Sequence, residues 1–169
     1  KIVKVGAAYH DMGEYERAYL IFRATVESSF SRESGVAGFL DGQGEFVRSI
    51  DVMRRLLLEY PAESYAAVAT YALAQQVYGK AANVLADEKL REKQVTRVDL
   101  IRQAHTMLEG FLTMYPEDPA ADQASFSAAN ALLDMKAYKA AIAACDAYAK
   151  RYPKSDYLDS YWYLIGYCH

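Results

Sequence analysis

The stretch KRYPKSD, residues 150–156, decides how this chain is read. Its basic residues suit the end of a helix, and Tyr-Pro then stops it. Proline lacks the N–H needed to continue the ladder and pushes the residue before it out of the helical region. A serine or aspartate follows to start the next helix. EYPAES at 59–64 and MYPEDP at 114–119 repeat the arrangement, each with an aromatic before the proline and polar residues after it. One chain that stops its helices the same way three times is built from a repeated unit.

The surroundings of each stop show what that unit is. Thirteen residues after each proline stands a small residue: Ala74, Ala129 and Gly166. Two places after each proline is a candidate N-cap, respectively Glu63, Asp118 and Ser155, with Pro119 expected at the first helical position behind Asp118. The apolar spacing is helical on both sides, as with Phe126, Ala129, Leu132 and Leu133 after one stop and Ala141, Cys145, Tyr148 and Tyr152 before another. The unit is helix, turn, helix, Tyr-Pro. Its period is 37 residues from Pro116 to Pro153 but 55 from Pro61 to Pro116. The excess falls in AANVLADEKLREKQV, residues 81–95, and predicts an elongated helix pair around 81–98, with Thr96 and Asp99 as a capping box; a flexible loop is the alternative. In SRESGVAGFLDGQGE, residues 31–45, four glycines predict a short or frayed first helix, with Gly44 and Phe46 at the turn into the next one.

Composition narrows the class. The 169 residues are 53% hydrophobic and 24% charged, a globular balance with enough chain for one buried core. The formal net charge of -3 and the lack of a basic face argue against nucleic acid as a partner. No apolar run is long enough to span a bilayer, so direct membrane insertion is not expected. The chain opens at Lys1 with neither methionine nor a signal-peptide pattern and reads as a piece of a longer protein. Two cysteines, Cys145 and Cys168, permit at most one bridge and are read as small core hydrophobes. Tyrosine stands out, at 15 residues beside six phenylalanines and one tryptophan.

GAAYHDMGEYERAYLIF, residues 6–22, resembles the tetratricopeptide repeat: Gly6 and Tyr9 match its first helix, Gly13 and Tyr15 its turn, Ala18 and Phe22 its second helix. A later unit keeps Ala129, Tyr138, Ala141 and Pro153, and a further one opens with Trp162, Ile165 and Gly166. The resemblance implies an all-α fold, a right-handed α-α superhelix of antiparallel helix pairs, as a single domain over 1–169. Its units would be 1–30, 31–61, 62–116, 117–153 and a partial 154–169. The small residues Gly6, Ala74, Ala129 and Gly166 would let each first helix approach a partner carrying Ala18, Ala104 or Ala141. Separately, KRYPKSDYLDSYWYLIG is similar to repeats of bacterial cell-envelope proteins, including outer-membrane assembly lipoproteins and their periplasmic relatives. That similarity implies a bacterial origin and leans towards the cell envelope, with the cytoplasm still open.

In this family the concave wall is made by first helices. Carried over, the pattern places Val3, Tyr71, Phe126 and Tyr163 in one row, Ala7, Gln75, Asn130 and Tyr167 in a second, and His10, Tyr78 and Leu133 in a third. Such a wall is aromatic and amide-rich, suited to a protein or peptide segment. The competing reading is that the rings simply pack between helices. The lysine and arginine pattern that clamps a C-terminal carboxylate in chaperone-binding members is missing.

No chemistry-bearing motif appears. His10, His105 and His169 lie far apart, no HExxH, CxxC, phosphate loop or GxSxG occurs, and Cys168 and His169 would point about 100° apart on a helix. No enzyme activity, cofactor or metal is expected. DEKLREK, residues 87–93, is read as a solvated helix surface, with partner docking as the alternative. Two functions remain open: a protein-interaction scaffold using its concave face, or a structural spacer and assembly module with end-to-end contacts and no groove ligand. The apolar Trp162 helix is expected to be covered by another copy of the chain or to belong to a longer array.

Overall fold

The structure is a computed structural model describing residues 2–61 and 65–169; the expected cap Glu63 lies outside the described residues. Among the described residues the chain is helical with no strand, and it divides into two compact units, Lys1–Leu56 and Leu57–His169.

In the first unit α1 (Ile2–Asp11) packs along α2 (Tyr15–Gly42), and α3 (Phe46–Glu59) begins. A Cβ added at Gly6 would stand 2.8 Å from Phe22 Cε1 and 3.2 Å from Ile21 Cγ2, so this glycine does bring two helices into close contact. The short helix expected in 31–45 is absent. α2 instead runs unbroken for 28 residues, and residues 30 and 31 lie inside it. Glycine costs up to about 1 kcal/mol per helical position, which tertiary contacts can offset. Here Ala37 is buried and its carbonyl accepts the Ser49 hydroxyl at 2.7 Å. α2 ends where Gly44 takes φ +72°; the Gly44 and Glu45 N–H groups bond the Asp41 and Leu40 carbonyls, and the chain turns into a buried Phe46 as expected.

The second unit contains α4 (Ala66–Ala81), a 3-10 turn (Val84–Ala86), α5 (Glu88–Glu92), α6 (Arg97–Met114), α7 (Ala121–Asp134), α8 (Tyr138–Arg151) and α9 (Leu158–Cys168). α4 packs on α6, α6 on α7, α7 on α8 and α8 on α9, the neighbour-to-neighbour order of a helical-repeat array. Ala74, Ala104, Ala129 and Ala141 are all buried, in keeping with close helix approach. Gly166 differs: a Cβ placed there would meet nothing within 4 Å.

Both complete stops in this unit behave as proline chemistry requires. α6 ends at Tyr115 (φ -129°, ψ 57°) and α8 at Tyr152 (φ -117°, ψ 68°), both pushed out of the helical region ahead of their prolines. The Tyr115 hydroxyl donates to the Pro61 carbonyl at 2.8 Å, so one stop touches the one before it. The helices after the stops begin later than expected, however. Asp118 accepts the Ala120 N–H at 2.8 Å and Ser155 accepts the Tyr157 N–H at 2.9 Å; these side chains cap turns, Pro119 lies in one of them, and the helices start at Ala121 and Leu158. Short polar side chains bonding the backbone two residues on favour a turn over a helix.

The elongated pair expected around 81–98 is also corrected. α4 stops at Ala81, and the insertion folds into the 3-10 turn and the five-residue α5. Asp87 terminates the extension: its carboxylate accepts the Leu90 N–H at 3.1 Å and lies 2.7 Å from Lys80 Nζ. Leu90 is the apolar anchor, 1% exposed within an otherwise charged run. The Thr96 and Asp99 capping box is present at the start of α6. The turn between α7 and α8 uses a left-handed Lys136 (φ 58°), with the Lys136 and Ala137 N–H groups bonding Leu133 and Leu132 carbonyls at 2.8 and 2.9 Å.

Candidate protein-recognition surface

The first helices of the two complete pairs in the second unit are joined by side chains. Gln75 Nε2 on α4 donates to Ser127 Oγ on α7 at 3.0 Å, and the Tyr78 hydroxyl donates to Asp134 Oδ2 at 2.6 Å. Arg97 approaches the same Asp134 oxygen at 3.1 Å. Burial, followed by the bond to Asp134, holds the Tyr78 phenol well above its ordinary value, so it stays a donor.

Beside this seam lies a cleft of about 360 Å³ lined by Tyr78, Gln123, Phe126, Ser127, Asn130 and Tyr157. The Phe126 ring is stacked on Tyr157, with centroids 4.5 Å apart and planes 10° from parallel. Asn130 Nδ2 donates to the Phe126 carbonyl at 3.0 Å, and among the described residues the amide oxygen has no hydrogen-bond partner. Beneath the rings, Ser125 Oγ and the Tyr161 hydroxyl are 2.7 Å apart, both buried, and Ser125 also donates to the Asp122 carbonyl. Burial pushes the Tyr161 phenol up to about 12. The floor is fixed by buried bonds, while the rim carries rings and amides open to solvent.

Of the residues expected on a concave wall, Tyr78, Phe126 and Asn130 line this cleft and Gln75 borders it through Ser127. Tyr71 is half-buried and leans on the Phe111 ring at 5.6 Å, which is interhelical packing. Leu133 is half-buried on α7 without lining the cleft. Tyr163 and Tyr167 stand exposed on α9, and neither is among the cleft residues. Val3, Ala7 and His10 are exposed on α1 in the first unit, where the His10 ring meets Tyr15 edge-on at 5.4 Å. Gln123, Ser127 and Tyr157 escaped the sequence reading. Gln123, Phe126, Ser127 and Asn130 nevertheless follow the i, i+3, i+4, i+7 spacing of one helix face, a signal that would have found Gln123 and Ser127.

The nucleophilic and metal-ligating groups are dispersed. Among the described residues no cluster of three or more His, Cys, Asp and Glu side chains is placed to hold a metal ion. Cys145 is a core residue whose thiol burial pushes up to about 11, whereas Cys168 is only partly buried, correcting the expectation that both are core. No helix among the described residues is long and apolar enough to cross a membrane.

Antiparallel helix pairs, joined by Tyr-Pro stops and presenting polar-aromatic side chains from their first helices, define a helical-repeat protein of the tetratricopeptide type. More particularly, the chain belongs to the YfiO family, described as outer membrane lipoprotein, whose family model matches residues 74–169 and so takes in the whole lining of the cleft. No curated protein matches the chain.

Proposed function

We propose that this chain is a non-catalytic interaction scaffold in outer-membrane assembly, and that it holds a protein or peptide segment in the α4/α7 cleft. The observation that carries the reading is the cleft itself: stacked rings beside an amide with an unused acceptor, the combination that grips a backbone and its apolar side chains. Membership of an outer membrane lipoprotein family supports the setting. In this reading Tyr78, Phe126, Asn130, Gln123, Ser127 and Tyr157 make the contact. Tyr71, Gln75 and Leu133 hold the wall behind it, and Tyr163 and Tyr167 extend it along α9. His10 would serve a separate surface on the first unit.

Site-specific photo-crosslinking tests this. With p-benzoylphenylalanine at Gln123, a discrete adduct with another protein is expected, absent when the probe replaces the exposed Lys139 and weakened at least fivefold by Asn130→Ala with an unchanged circular dichroism spectrum. Equal adducts at both positions, or none at Gln123, would overturn it. One observation favours the spacer reading: Trp162, Tyr163 and Tyr167 are 57%, 72% and 64% exposed on α9. Under that reading a probe at Trp162 crosslinks a second copy, and sedimentation equilibrium shows a dimer.

A further inference from the structure

A second cavity, of about 420 Å³, lies where the insertion interrupts the repeat, walled by the insertion together with the end of α4 at Ala81 and the start of α6 at Arg97. Val84 and Leu85 of the 3-10 turn form one side, and Val95 and Thr96 ahead of α6 form the other. Leu85 is 81% exposed, the highest value among the exposed large hydrophobic side chains. Among the described residues, the charged side chains lining this cavity are Arg91 and Arg97. Among the described residues Arg91 makes no ion pair, while Arg97 shares Asp134 with Tyr78. Of the nearby acids, Asp87 and Asp99 are already committed to Lys80 and to Thr96 and Arg102, while Glu88 and Glu92 share α5 with Arg91 but, among the described residues, form no ion pair with it.

An apolar pocket with a purely cationic rim selects its occupant by complementarity. We infer that this insertion pocket docks a protein segment that carries a large apolar side chain beside an aspartate or glutamate, the apolar group entering between Leu85 and Val95 and the carboxylate meeting Arg91. A guanidinium pairs well with a carboxylate in two-pronged geometry, whereas a lysine-bearing segment would meet two like charges. The site is separate from the cleft and stands or falls apart from it.

The test is a titration of the ¹⁵N-labelled full chain, followed by amide chemical shifts, with two acetylated and amidated probes: Ser-Leu-Phe-Asp-Ser and Ser-Leu-Phe-Lys-Ser. Saturable shifts confined to the amides of 81–97 are expected with the aspartate peptide, at least fivefold weaker for the lysine peptide and weakened by added salt. Arg91→Glu and Leu85→Ser should each weaken binding at least fivefold; both residues are exposed, so an unchanged circular dichroism spectrum is expected. Equal affinity for the two peptides, or indifference to Arg91→Glu, overturns the proposal. Shifts only at Gln123–Asn130 also overturn it while supporting the cleft, and binding at 81–97 without a crosslink at Gln123 does the reverse.

Discussion

Lys136→Gly should stabilise this protein. Lys136 sits in the turn between α7 and α8 at φ 58°, in the left-handed region, with its N–H and that of Ala137 closing the end of α7. An L-residue pays about 1–2 kcal/mol for that conformation because its Cβ crowds the following carbonyl, and glycine does not. Glycine in turn gives up about 0.4–1 kcal/mol through the greater freedom of the unfolded chain. The Lys136 side chain is exposed and makes no hydrogen bond or ion pair among the described residues, so nothing else is lost. The net gain is about 0.5–1 kcal/mol, or roughly 2–5 °C in Tm for a unit of this size. Urea and thermal unfolding followed by circular dichroism at 222 nm would measure it, with Lys136→Ala as the control that keeps the Cβ and should not stabilise. A Lys136→Gly variant no more stable than Lys136→Ala would refute the reasoning, because the gain is assigned wholly to removing the Cβ.

Three further predictions share the same assay. Gly166→Ala should stabilise by up to about 1 kcal/mol through helix propensity alone, whereas at Gly6 the added methyl must displace Phe22, so Gly6→Ala should gain less or lose stability outright. Tyr161→Phe, which deletes the buried bond to Ser125, should cost about 1–2 kcal/mol, moderated because Ser125 keeps its bond to Asp122. Asp99→Asn should cost about 0.5–1 kcal/mol at neutral pH by weakening the Thr96 cap. Bonds from Thr96 hold the Asp99 carboxyl below its usual range. A carboxyl depressed in the folded state stabilises above its unfolded pKa and loses that contribution as pH falls through the folded one. The difference between Asp99→Asn and wild type should therefore shrink as pH falls below the ordinary aspartate range and close once the folded carboxyl is protonated, and a gap that persists in strong acid counts against the cap as its source.

The parts legible in the sequence were those set by strong local chemistry. Proline at 61, 116 and 153 ends a helix whatever packs around it, and Thr96 with Asp99 announces a helix start through two reciprocal bonds. Where tertiary contacts outweigh propensity, the reading failed: α2 runs through glycines at 35 and 38, its Ala37 carbonyl held by Ser49. The insertion was misread because one buried leucine in a charged run, Leu90, gives no periodicity to count. At the cleft, Tyr78, Phe126 and Asn130 lie on first-helix positions that family spacing marks, but Tyr157 precedes its helix and enters by stacking, which no spacing rule foresees.

That stacked pair has a thermodynamic consequence. Phe126 belongs to one repeat and Tyr157 to the threshold of the next, so the cleft is complete only while α9 is docked. In arrays of this kind each layer leans chiefly on its neighbours. An occupant of the cleft would therefore, by reciprocity, favour the docked state of α9, and undocking of α9 would weaken the hold on the occupant. Grip and length become one equilibrium: the protein would hold its cargo only as firmly as it holds its own next turn.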